Sequence, residues 1–277
     1  MTSTADALLL GAVAYDPKVV TIWDGFRRWF ANHDLSFDYV LYSNYERQVL
    51  DLVAGRIDVA WNSPLAWVRA RRLTPDARAL VMRDTDQDLT SVVVVRADSP
   101  IVDVAGLAGR VVATGAVDSP QATLIPLALL DGVDVTVRRF EVGVGLHGDH
   151  IGGERDAARA LMAGQVDAAC MIDGNHLLFT IEGTLAPGGT RIIARTSVYD
   201  HCNMSTVGTP SPLLDRFVSL LLDMDYGDPA VRPLLDLEGL KSWLPGRVSG
   251  YGLLESAVDV SGFYSADGEV TAHGYRP

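Results

Sequence analysis

A chain of 277 residues, 48% hydrophobic and 21% charged, has the composition of a folded globular protein and the length to bury one large core or two smaller ones. Its formal charge of -12 argues against a broad surface for nucleic-acid phosphates, though not against one small positive pocket. No apolar run reaches the length of a membrane span, so neither nucleic acid nor membrane insertion is expected.

Residues Met1 to Asp6 lack a basic region, and the apolar stretch Ala7–Ala14 runs directly into a strand over Leu8–Val13. No signal peptide is read there. The expected location is the cytoplasm, or outside it if the sequence given is a trimmed one. Asp16-Pro17 reads as a helix start, with an apolar stripe following at Val20, Trp23, Phe26 and Phe30. A second strand covers Phe37–Tyr42, and Asn44 caps a helix that reaches Ala54, with Tyr45 at its mouth. Ser63-Pro64 opens another helix. Thr90–Arg96 is a continuous apolar run, as expected of a strand covered on both faces. Val111–Thr114 and Val135–Phe140 are strands, and Ala116–Thr123 leads into a helix ending near Leu130. A glycine-rich loop with histidines, 142–153, precedes a helix over Arg155–Ala163. Arg191–Thr196 is a strand, Pro212–Met224 a helix, and Leu234–Trp243 closes a mostly helical C-terminal region. Cys170, in the apolar strand Val166–Ile172, reads as a buried free thiol, with a disulfide to Cys202 left open.

Strands alternating with helices make the class α/β. Two stretches look like copies: Leu52 to Ala60 (LVAGRIDVA) and Leu161 to Ala169 (LMAGQVDAA). Each reads as a last helical turn, a glycine suited to the left-handed conformation, and a short buried strand. Ligands of open α/β sheets sit beyond the carboxyl ends of strands, so two such ends predict two similar lobes facing one cleft. One lobe is expected over residues 1–95 and 197–277, the other over 96–196.

With these pieces placed, the chain resembles the type 2 periplasmic-binding-protein fold, and within it the phosphonate/phosphate ABC-transporter substrate-binding proteins. Matching segments are Tyr45 with Leu52–Ala60, Trp61-Asn62-Ser63-Pro64-Leu65-Ala66-Trp67, Val104–Ala113, Asp118 to Thr123, Leu161–Ala169, and Leu235 to Leu240. The resemblance implies a two-lobed protein with a ligand cleft. It further implies a Ser/Thr-rich turn that holds an oxyanion, here Ser119, Gln121 and Thr123. The family commonly has a histidine before the second copy where this chain has Glu154. Some members of the fold are cytoplasmic enzymes.

The expected function is binding of a small anionic metabolite. Tyr15, Tyr45, Asn62 and Ser63 are the candidates from the first lobe; Ser119, Gln121, Thr123, His150, Glu154 and Asp173 are those from the second. The helix start at Ser119 suits an anion because free N–H groups and the positive end of the dipole converge there. An ABC-transporter permease is the expected partner if the chain is exported. The alternative is a lyase, dehydratase or decarboxylase on the same fold, with Glu154, His150, His176 or Asp173 as acid or base. No cofactor or metal is expected: His147, His150, Glu154 and His176 have usable spacing, but no HExxH motif is present.

Overall fold

The computed structural model describes residues 7–141, 143–144, 147–148 and 150–275. The first part of the chain comprises β1 (Leu8–Val13), α1 (Lys18–Ala31), β2 (Phe37–Tyr42), α2 (Tyr45–Val53), β3 (Val59–Asn62), α3 (Pro64–Leu73) and β4 (Arg78–Arg83). Next come β5 (Ser91–Arg96), β6 (Val111–Thr114), a π-helical turn (Pro120–Leu124) continued by α4 (Ile125–Leu129), β7 (Thr136–Arg139), β8 (Gly143–Val144) and β9 (His147–Gly148). They are followed by α5 (His150–Met162), β10 (Ala168–Ile172), α6 (Asp173–Ile181) and β11 (Thr190–Arg195). The chain closes with β12 (Asn203–Thr206), α7 (Pro212–Leu222), α8 (Arg232–Glu238), β13 (Trp243–Pro245) and α9 (Gly252–Ser261).

Two sheets result. The first has the order β13-β4-β12-β3-β1-β2, the second β11-β5-β10-β6-β7. Their inner parts correspond strand for strand. Three parallel strands, β2-β1-β3 or β7-β6-β10, are joined by one antiparallel strand, β12 or β5, that the chain brings over from the other sheet. The two copied stretches occupy equivalent places in this scheme. Gly55 and Gly164 both take left-handed backbone, at φ 67° and 69°, and end their helices. The aspartate that follows does the same work twice. Asp58 Oδ2 accepts the Leu9 N–H at 2.7 Å, and Asp167 Oδ2 accepts the Val111 N–H at 2.9 Å. Each aspartate backbone N–H returns a bond to the carbonyl of the same residue, Leu9 or Val111.

The lobe limits need revision. β5 pairs with β10 and β11, so Ser91 already belongs to the second sheet and the first crossing runs over 84–90, before the expected limit at 95. The return runs over 196–202. The two crossings form an antiparallel ribbon: Leu89 and Tyr199 exchange backbone bonds at 2.8 and 2.9 Å, and His201 N–H donates to the Asp86 carbonyl at 2.8 Å. Arg247 clamps the ribbon, donating to Asp88 on one crossing and to Asp200 on the other. Gly250 lies so close that a Cβ there would sit 2.0 Å from the Asp200 carboxylate.

Packing changes other expectations. On α1 the buried stripe is Val19, Ile22, Trp23, Phe26 and Phe30, a five-residue 3.6-period face, which leaves Val20 45% exposed. Asp16 still serves the helix start through its bond to the Lys18 N–H, and Asn44, Ser63 and Ser119 cap as expected. Trp243 lies in an edge strand instead of closing a helix, because it packs on Trp61 and Phe26 in the first core. α9 and the segment after it belong to neither sheet. Leu254, Val258, Phe263 and Tyr264 share one buried cluster with Leu65 and Val68 of α3 and with Leu124 and Ile125. Cys170 and Cys202 are both free thiols, Cys170 fully buried.

Candidate functional site

Between the two sheets lies a pocket of about 410 Å³. The first lobe contributes Tyr15, Lys18, Tyr45, Ser63 and Arg83; the second contributes Asp118, Gln121, His150 and Ile151. The return crossing adds His201 and Cys202, and the C-terminal segment adds Tyr264 and Tyr275. A wall drawn from both lobes and from the ribbon between them suits a cleft that closes on its ligand.

Arg83, the last residue of β4, brings a guanidinium to the wall of this pocket. Its guanidinium donates to Asp86 at 2.5 and 3.0 Å and to the Glu238 carbonyl at 2.9 Å, and it lies 5.1 Å over the Trp61 ring. Five N–H donors are available on a guanidinium, so this scaffold holds the group rigid and leaves donors for a ligand. Burial opposes ionisation of Asp86, but Arg83 and the His201 contact outweigh it and hold the carboxyl at about 2. Glu238 goes the other way: burial pushes it to about 7 against the pull of Arg83.

Acidic groups face the same space. Glu46 accepts the Tyr275 hydroxyl at 2.9 Å, and burial raises its pKa. Asp118 meets His150 Nε2 at 3.3 Å. The pocket therefore offers cationic donors at Arg83 and Lys18 and carboxylate acceptors at Glu46 and Asp118.

Of the residues expected from sequence, Tyr15, Tyr45, Ser63, Gln121 and His150 are brought together around the pocket. The others are not part of its wall. Asn62 is fully buried, its amide taken by Gln48 at 2.8 Å and by Ser205 at 2.6 Å. Ser119 spends its hydroxyl on the Ala122 N–H and its carbonyl on Thr123 and Leu124, while Thr123 is buried beneath. Glu154 is not at a helix start, because α5 begins four residues earlier at His150. It is wholly buried, accepting from the Ile172 N–H at 3.0 Å and the Asn175 amide at 2.8 Å, and burial raises it to about 7. The Gln121 side chain is also directed at its carboxylate, so Glu154 stands directly behind a wall residue. Asp173 pairs with Arg195 at 2.7 Å, and His176 meets Thr190 at 2.9 Å.

The acid and base groups named for an enzyme are thus dispersed: among Glu154, His150, His176 and Asp173, the pocket wall includes His150 alone. The side chain of His147 lies outside the described residues. Among those described, His150, Glu154 and His176 do not form a shared metal cluster, whereas Asp86, His201 and Cys202 place ligand atoms within 4.8 Å of one another. Sequence reasoning missed Arg83, Lys18, Glu46, Asp118, Tyr264 and Tyr275. Arg83 stood at the end of an unread strand, and the tyrosines lie beyond the last copied element.

A family model described as "ABC transporter, phosphonate, periplasmic substrate-binding protein" matches residues 13–251. The chain belongs to this family. It is accordingly a substrate-binding protein with the α/β, two-lobed type 2 periplasmic-binding-protein fold. No curated protein sequence matches it. Among solved structures, it is similar to PhnD1 from Prochlorococcus marinus (MIT 9301) in complex with methylphosphonate, at 18% identity and TM-score 0.67, over 92% of this chain and 97% of that one. It is also similar to XAC2383 from Xanthomonas citri bound to ATP, at 16% identity and TM-score 0.68, over 92% and 97%. A binding protein component of an ABC phosphonate transporter from Pseudomonas aeruginosa aligns at 11% identity and TM-score 0.56, over 87% and 81%. The family's periplasmic setting overturns the expected cytoplasmic location. No helix among the described residues is long and apolar enough to cross a membrane.

Proposed function

We propose that this substrate-binding protein takes its ligand in the 410 Å³ pocket between the lobes and delivers it to an ABC-transporter permease. The ligand is a small oxyanion of the phosphonate or phosphate class. The observation that carries this reading is Arg83, a guanidinium held rigid by Asp86 and Glu238 while lining the pocket. A preorganised fork matches a tetrahedral oxyanion bidentately and loses little freedom on binding. Lys18 adds a second positive charge.

On the facing wall, Gln121 and His150 reach the ligand when the lobes close. Glu46 and Asp118 favour a hydrogen-bond donor, hydroxyl or cationic, at the ligand's other end. Ser119 and Thr123 support this reading less than Arg83 does, because their side chains lie behind the wall.

Calorimetric titration with methylphosphonate, inorganic phosphate and sulfate tests the reading. Methylphosphonate or phosphate is expected to bind, and Arg83→Lys is expected to weaken binding by roughly 1–3 kcal/mol, because the charge stays but the fork is lost. Binding that Arg83→Lys leaves unchanged removes Arg83 from the site.

A further inference from the structure

We propose that Asp86, His201 and Cys202 form a site for one borderline divalent transition-metal ion, zinc being the fitting case, on the side of the pocket formed by the crossing ribbon. This rests on the pocket described above and is independent of which oxyanion fills it. His201 Nδ1 lies 3.2 Å from Cys202 Sγ and 3.4 Å from Asp86 Oδ1. All three ligand atoms fall within 4.8 Å of one another. A tetrahedral zinc, with Zn–S near 2.3 Å and Zn–N and Zn–O near 2.0–2.1 Å, needs ligand-to-ligand edges of roughly 3.3–3.5 Å. Two edges already have about that length. The remaining edge, from Asp86 to Cys202, lies within the 4.8 Å bound and closes on the ion as it binds.

The donor set is one thiolate, one imidazole and one carboxylate. That mixture suits zinc and its neighbours over magnesium or calcium, which prefer oxygen alone. The thiol proton leaves to solvent as the metal–sulfur bond forms. Arg83 donates one bond to each Asp86 oxygen, and a carboxylate has about four acceptor positions, so lone pairs remain for a metal. Ligating carboxylates are commonly steadied from behind by such a donor.

Position adds to the chemistry. Asp86 sits on one crossing, His201 and Cys202 on the other, and the His201 N–H to Asp86 carbonyl bond fixes them side by side. Both His201 and Cys202 line the pocket, which supplies an entry path. Three protein ligands leave a fourth position open, the arrangement of zinc sites that exchange a water for a bound oxygen. A metal here ties the two crossings of the ribbon together and offers that position to an oxyanion.

Zinc chloride titrated into the metal-stripped, reduced, ligand-free protein tests this directly, and because no oxyanion is present the proposed ligand does not enter the result. One equivalent of zinc is expected to bind and to raise the melting temperature, since the ligands come from distant parts of the chain. Loss of an outer-shell partner alone costs up to 100-fold in metal affinity, so Cys202→Ser and His201→Ala should each weaken binding by about 100-fold or more. Cys170→Ser should leave it unchanged. A second readout needs no variant. Cobalt in place of zinc should give a thiolate-to-metal charge-transfer band. Absence of zinc binding to the unaltered protein overturns the proposal, as does binding that Cys202→Ser leaves unchanged or that gives no cobalt band.

Discussion

In the first lobe the copied strand ends at Asn62, whose amide is consumed by Gln48 and Ser205. In the second it ends at Ile172, and the residues after it turn away, Asp173 to Arg195 and His176 to Thr190. The skeletons up to those points correspond bond for bond, down to the aspartate that brackets the first strand of each parallel trio. Yet neither copy supplies the charged groups of the pocket from its own strand end. Arg83 comes from the strand before the first crossing, His201 and Cys202 from the return, and Tyr264 and Tyr275 from the C-terminal segment. Duplicated parts set the backbone, where hydrogen-bond geometry is the constraint. Unduplicated parts add Arg83, His201, Cys202 and the two tyrosines to a wall whose Tyr15, Tyr45, Gln121 and His150 come from the duplicated strand-to-helix turns.

If that division holds, the most damaging change should fall in an unduplicated piece. Gly250→Ala places a methyl against the Asp200 carboxylate, which is fully buried and held by Arg247, so neither partner can yield without breaking the clamp. A loss of about 3 kcal/mol or more is expected in denaturant unfolding, combining overpacking with the loss of hydrogen bonds to a buried carboxylate. A loss below about 0.5 kcal/mol would show that the ribbon is not a rigid element.

Two buried carboxyls sharpen the contrast through pH. Asp86, beside Arg83, is held at about 2, whereas burial raises Glu154 from 4.5 to about 7. A folded-state pKa above the unfolded one means that the folded protein binds the extra proton. Stability then falls as pH rises from about 4.5 to about 7, and the full cost is present above that range. Glu154→Gln mimics the protonated form. It should stabilise the protein by up to about 3 kcal/mol at pH 8, with the gain shrinking at pH 5. Thermal melting at the two pH values checks this, and an equal shift at both contradicts it. The smallest effects belong to the copied aspartates. Asp58→Ala and Asp167→Ala should each cost about 1–2 kcal/mol, and by similar amounts, because each removes one bond to a strand-start N–H. A large inequality would mean that the two copies are alike in pattern only.

Sequence carried the skeleton well and the site unevenly. Glycine turns, caps at Asn44, Ser63 and Ser119, and the apolar run of β5 are local signals, and local hydrogen bonding decides them. Tyr15, Tyr45, Ser63, Gln121 and His150 were legible because they stand at strand ends or helix mouths, which the sheet architecture aims at the cleft. Asn62 was misread for a physical reason: a strand-end amide looks the same in sequence whether it meets a ligand or Ser205, 143 residues away. Glu154 was misplaced because α5 starts at His150. Nothing in the chain order shows that two tyrosines after α9 will share a pocket wall with Glu46 and Asp118.

The most direct test of the account is a crystal structure with methylphosphonate bound. The oxyanion is predicted within hydrogen-bond distance of the Arg83 guanidinium, with Gln121 or His150 closing on it from the second lobe. An oxyanion seated at Ser119 and Thr123 with no contact to Arg83 would contradict it.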